Sequence, residues 1–132
     1  MSHERGSRVL IDTSVLTGFE NDRLDKAAMP ASTFVSVITV AELRLGVLTA
    51  SSLEARARRL ATLRLAESLE PLPVDDAVAD AWATLVAWLR TAGRTIPVND
   101  CWIAATAIAR RMPVATQDRD YDDMPGLSVI RL

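Results

Sequence analysis

Histidine is almost missing from this chain: the only imidazole belongs to His3, a few positions from the N-terminus. That excludes a ribonuclease cutting with two histidines as acid and base, and a histidine-rich zinc site. It also leaves a Ser-His-Asp or Cys-His nucleophile without its base. Cysteine is equally scarce. The single Cys101 permits no internal disulfide and fits a reducing cytoplasm. No apolar run approaches the roughly 18 residues that a membrane-spanning helix needs, so no membrane association is expected. The first residues, MSHERGS, are polar and do not read as a secretory signal. Lysine occurs once, as Lys26, so arginine supplies nearly all of the 15 basic residues. A net charge of -2 is not the footprint of a protein that holds nucleic acid by charge alone. Chemistry in this chain must come mainly from its 17 carboxylates.

A length of 132 residues is that of one ordinary domain, and a hydrophobic content of 49% favours a packed core over disorder. One domain over 1–132 is expected. Short β-branched runs alternate with longer helical patterns, which reads as an α/β fold with a parallel sheet. Strands are expected at Val9–Ile11, Phe34–Ile38, Pro113–Thr116 and, after the Gly126 turn signal, Leu127–Ile130. A run over Leu69–Val74, broken by Pro71 and Pro73, suits an edge strand.

Between these runs lie helices. Ser51 and Glu54 have capping-box spacing and open a helix to about Ser68, with Leu53, Ala57, Leu60 and Leu63 or Arg64 near one face. Its Arg56, Arg58, Arg59 and Arg64 read as a solvated face, with RNA contact as the sharper alternative. Asp75 caps a further helix whose stripe is Val78, Trp82, Leu85 and Leu89. Val86 and Trp88 make it apolar on a second side, which fits either deep burial or a subunit interface. The helix from Cys101 to Ala109 is rich in small residues that permit close packing on a sheet.

Ligands of open α/β sheets bind outside the carboxyl ends of the strands. Asp12 directly follows the first strand, and Asp118 lies two residues beyond Thr116. Either residue could equally cap a helix. Glu42 stands among apolar neighbours in VITVAELRLGVL, where an unpaired charge is costly. Thr39 to Glu42 has capping-box spacing, which explains the acid without function. Asp100 follows Asn99, a favourable N-cap, where the helix dipole stabilises an anion. All four acids occupy equivalent places, strand ends or first helical turns, from which one cluster can assemble. Two carboxylates ~4 Å apart repel by about 4 kcal/mol at an effective dielectric of 20. A divalent cation turns that repulsion into attraction, and an all-oxygen set suits Mg²⁺ or Mn²⁺. The implied chemistry is hydrolysis of a phosphodiester.

Four segments, DTSVL, VITVAELRLG, VNDCWIAATA and VATQDRDYD, occur in an order and spacing that span almost the whole chain. In these the chain resembles the PIN-domain family, specifically the VapC-type toxins of bacterial toxin–antitoxin pairs. The resemblance implies a three-layer α/β/α sandwich with a central parallel sheet. It implies an endoribonuclease with a Mg²⁺ or Mn²⁺ site, with Asp12, Glu42, Asp100 and Asp118 matching the family's four acids. Thr13, Ser14 and Thr116 match hydroxyl partners beside those acids, although Thr13 or Ser14 also suits a helix cap, as does Asn99. A further acid near an aromatic is common in relatives. Here the aromatic is Tyr121, with Asp120, Asp122 and Asp123 around it, and Asp120 is the candidate for an auxiliary role. The resemblance further implies a cytoplasmic homodimer, an RNA substrate such as tRNA or rRNA, and a VapB-type antitoxin whose basic residue enters the acidic pocket. The alternative is a catalytically inactive PIN-like scaffold that binds RNA or protein. A phosphatase with an aspartyl nucleophile fits poorly, because Ser14 stands where D-x-D requires its second acid.

Overall fold

The computed structural model describes residues 7–30 and 32–132; His3 and most of the polar N-terminal stretch lie outside the described residues. The order of elements is β1 (Val9–Ile11), α1 (Thr13–Glu20), β2 (Thr33–Phe34), α2 (Val37–Leu48), α3 (Leu53–Ser68), α4 (Asp76–Thr91), α5 (Val98–Arg110), β3 (Val114–Thr116) and β4 (Val129–Arg131), with a 3₁₀ turn at Lys26–Ala28. The four strands are all parallel and lie in the order β2-β1-β3-β4.

Successive strand residues point to opposite faces, and here both faces are covered. Val9, Ile11 and Ala115 join Val15, Leu16, Phe19, Val40, Leu43 and Leu63, the contribution of α1, α2 and α3. Leu10 and Val114 join Leu85, Leu89, Ile103, Ala104 and Ala107, the contribution of α4 and α5. Three α/β/α layers follow from this parity. The fully buried Ala104, Ala105 and Ala107 let α5 lie close on the sheet, and Trp102 stacks on Trp82 of α4 with ring centroids 4.6 Å apart. After β1 the chain moves outward to β2, then returns to place β3 on the other side of β1. The crevice of such a sheet opens where the order reverses, at the carboxyl ends of β1 and β3.

Several local expectations are corrected. The run Phe34–Ile38 is not one strand: β2 ends at Phe34, and Ser36 caps α2 by accepting from the Ile38 N–H at 3.0 Å. An N-cap serine so soon after a strand ends it early. Thr39 and Glu42 therefore lie inside α2, and no capping box forms between them. The stretch Leu69–Val74 contributes only an isolated parallel bridge, Ser36 to Leu72. The cap of α3 is Ser52 rather than Ser51, accepting from Ala55 N–H at 3.1 Å. The buried face of α3 is Ala55, Thr62, Leu63 and Ala66, while Leu53 is 85% exposed. A helix rich in both alanine and arginine leaves that register ambiguous. Asp75 caps α4 as expected, accepting from Val78 N–H at 3.0 Å. Pro97, not Asn99, occupies the N-cap position of α5. The last strand starts two residues later and ends one residue later than Leu127–Ile130.

The register of α3 is testable by paired truncations. Leu63→Ala is expected to lower unfolding stability by about 2–5 kcal/mol, and Leu53→Ala by no more than about 0.5 kcal/mol, both read from denaturant unfolding.

Candidate active site

Asp12 directly follows β1 at the crevice and is 3% exposed. It holds the N-cap position of α1, yet its side chain caps nothing. Its Oδ1 instead accepts from the Tyr121 hydroxyl at 2.8 Å and its Oδ2 from Thr116 Oγ1 at 3.0 Å. A hydroxyl has one proton and two lone pairs, which fixes the direction of the neighbouring bonds. Thr116 spends its proton on Asp12, so Ser14 Oγ, 3.2 Å away, donates to it, while the Asp118 N–H donates to Thr116 Oγ1 at 2.8 Å. The Gln117 N–H in turn donates to Ser14 Oγ at 3.1 Å. Neither Thr13 nor Ser14 is a helix cap.

A second relay of the same kind ends on Glu42. Thr13 Oγ1 donates to Glu42 Oε1 at 2.7 Å, and the buried Thr39 Oγ1 lies 3.0 Å from Thr13 Oγ1, so that Thr39 donates. Asn99 Nδ2 donates to Glu42 Oε2 at 3.3 Å and so ties α2 to the first turn of α5. Gly18 of α1 allows the loop after β3 to come close, since a Cβ there would meet Gln117 Oε1 at 2.9 Å.

The most compact acids are Asp100, Asp118 and Asp120, each offering an oxygen within 4.8 Å of the others. Asp118 Oδ1 also accepts from the Asp120 N–H at 3.1 Å, a local turn that turns both acids toward α5. Asp12 is not a member of this group but is joined to it: the Tyr121 hydroxyl, 2.8 Å from Asp12, lies 3.2 Å from Asp100 Oδ1. Glu42 is not a member either, and is linked through Asn99 to the turn that carries Asp100. Of the acids flanking Tyr121, Asp120 alone enters the cluster. Asp122 pairs with Arg131, which also donates to the Asp118 carbonyl, and Asp123 is exposed in a left-handed turn with φ 60°.

Electrostatics follow from this crowding. Asp100 is raised from 3.8 to about 8, first by burial, then by its hydrogen bond with Asp120 and the charges of Asp12, Asp118 and Asp120. The N-terminal dipole of α5 acts in the opposite sense and is outweighed. Burial and the Asp12 and Asp100 carboxylates push the Tyr121 phenol well above its ordinary value, so it stays a neutral donor. The Cys101 thiol is raised by burial and by Asp100 and Asp120, which keeps it protonated. An all-oxygen set carrying more negative charge than it holds comfortably suits Mg²⁺ or Mn²⁺. Sequence reasoning did not assign a role to the Tyr121 hydroxyl or to Thr39. The available signal for Tyr121 was that the chain's sole tyrosine is embedded among acids; for Thr39 its spacing from Glu42 pointed to capping instead.

Comparison with known proteins places the chain in a family. The PIN domain family model matches residues 9–127. Ribonuclease VapC4 of Mycobacterium tuberculosis is 52% identical over 126 residues, covering 95% of this chain and 97% of that protein. The crystal structure of VapBC-5, a member of the VapBC family of toxin–antitoxin systems from the same organism, superposes with a TM-score of 0.86 at 43% identity, over 96% of this chain and 99% of that one. FitAcB from Neisseria gonorrhoeae superposes with a TM-score of 0.71 at 28% identity, over 92% and 96% of the two chains. With its acids gathered at the sheet's carboxyl edge and these matches spanning most of its length, the chain belongs to the PIN-domain family, in its VapC-type branch.

Proposed function

We propose that this protein is a Mg²⁺- or Mn²⁺-dependent endoribonuclease that hydrolyses RNA phosphodiester bonds, the toxin of a type II toxin–antitoxin pair. The observation that carries the reading is the Asp100, Asp118 and Asp120 group, whose oxygens lie within 4.8 Å of one another at the carboxyl edge of the sheet. The similarity to a protein named Ribonuclease VapC4 supports the choice of RNA.

Asp100, Asp118 and Asp120 would hold the ion, with Asp12 beside them. Such an ion, when bound, supplies Lewis-acid polarisation of a phosphoryl oxygen. Glu42, gripped by Thr13 and Asn99, keeps unused lone pairs with which to orient the attacking water. No side chain serves as a covalent nucleophile in this reading. The Ser14 and Thr13 hydroxyls are committed to neighbours, and the Cys101 thiol is buried and protonated. The partner proposed is a VapB-type antitoxin whose basic residue occupies the acid hollow, as the likeness to a VapBC complex supports. Action in the cytoplasm accords with the absence, among the described residues, of any helix long and apolar enough to cross a membrane. A homodimer is proposed from the apolar surface of α4 and α5, where Trp88 and Val98 are exposed. The single domain over 1–132 is part of the same reading.

Asp100→Asn is expected to lower RNA cleavage by more than about 100-fold, since even groups that only support metal ligands are worth roughly 10–100-fold. Circular dichroism should show the fold retained, and cleavage at the wild-type rate would overturn the assignment. A second expectation concerns metal-free protein. Because the folded-state value of Asp100 is raised above 3.8 to about 8, the folded state binds the extra proton between those limits. Stability contributed by that proton is therefore full below about 4 and is lost as pH rises toward 8. Thermal unfolding in chelator should show melting temperature falling across this window, with a flatter profile for Asp100→Asn. Added Mn²⁺ at about 100 times its dissociation constant should restore about 2.7 kcal/mol at the upper end; no shift there would favour an inactive scaffold.

A further inference from the structure

The two carboxylates that meet at Tyr121 come from separate places in the chain: Asp12 directly follows β1, and Asp100 lies in the first turn of α5. Among the described residues, the Tyr121 hydroxyl alone hydrogen-bonds to both, at 2.8 Å and 3.2 Å. Its ring is fully buried, in the same apolar cluster as Leu10 of β1 and Ile103 and Ala104 of α5. Packing therefore sets the position of the hydroxyl. We propose that Tyr121 is a positioning residue of the metal centre, whose neutral hydroxyl holds the Asp12 carboxylate in place beside Asp100 before a divalent cation arrives.

The chemistry of the phenol suits this task. It carries one proton, and the shorter contact assigns that proton to Asp12. Asp100 is then left to face Asp118 and Asp120, the partners with which it would take an ion. A lysine or arginine in the same place would also hold two carboxylates together, but its charge would compete with the cation. A phenylalanine would fill the same space and leave the buried Oδ1 of Asp12 without its donor. Removing a hydrogen bond that orients a metal-binding group lowers metal affinity by roughly 10–100-fold, a loss that packing alone does not predict.

The inference rests on reading the acid cluster as a metal centre, and one experiment separates the two. Mn²⁺ is titrated calorimetrically into the metal-free full chain, wild type and Tyr121→Phe, with circular dichroism and thermal unfolding recorded for both. The expected result is a roughly 10–100-fold weaker affinity in Tyr121→Phe, with most of the wild-type cleavage rate recovered at saturating Mn²⁺. Equal affinities, whatever the change in melting temperature, would reduce the tyrosine to packing and overturn the proposal. Wild-type protein that binds no Mn²⁺ would overturn the metal reading itself. Should Tyr121→Phe not fold, the chain's sole tyrosine offers a second measurement. Biosynthetic replacement by 3-fluorotyrosine gives one fluorine resonance, expected to move on Mg²⁺ addition in wild type and to stay fixed in Asp100→Asn. A wild-type resonance unmoved at saturating Mg²⁺ would likewise overturn the proposal.

Discussion

Carboxylates a few ångströms apart in a partly dried crevice repel one another by several kcal/mol, a sizeable share of the 5–15 kcal/mol that typically separates folded from unfolded protein. This molecule accepts that repulsion at the carboxyl edge of its sheet. Asp100 answers it by keeping its proton far above the ordinary carboxylate range. Asp12 answers it differently, through two hydroxyl donors, Tyr121 and Thr116. Among the described residues, the surrounding architecture supplies neutral hydrogens and no lysine or arginine side chain to either Asp12 or Asp100. A site built in that way keeps its negative field, which a fixed ammonium or guanidinium would have cancelled.

The fold delivers the acids to one place through topology. Reversal of strand order between β1 and β3 opens the crevice, and the residues just past those strands, Asp12 and Asp118, stand at its mouth. The helices then contribute from both layers: α2 brings Glu42 from one face of the sheet, and α5 brings Asp100 from the other. Asn99 spans the two by donating to Glu42 from the turn that carries Asp100.

Much of this was legible in the linear pattern, and the rest was hidden for definable reasons. The runs VLI and VAT read as buried strands because every residue in them is apolar or β-branched, and all six are buried. The Asp75 cap and its Val78, Leu85 and Leu89 stripe were legible from spacing alone. The start of α2 was not, because VSVI has strand propensity on both sides of Ser36 and only the serine's cap bond decides where the strand stops. In α3 several registers expose the arginines equally well, so composition could not single out Ala55, Thr62, Leu63 and Ala66. At the site, the acids announced themselves by position, while their supports did not. Thr13, Ser14 and Asn99 each carry a side chain that caps helices as readily as it binds a carboxylate. Only three-dimensional placement chooses between those uses, because the deciding partners lie 26 or more residues away.

The contacts that complete Asp12 have a temporal side. Thr116 and Tyr121 are separated from it by 104 and 109 residues, and Arg131, next to last in the chain, grips the loop that carries Asp118 and Asp122. On a ribosome the N-terminal acid emerges long before its partners, and the final strand must leave the exit tunnel before that loop can be clamped. Until Thr116 and Tyr121 have been made, Asp12 therefore lacks both of its hydroxyl donors, and the acid cluster cannot assemble early in translation.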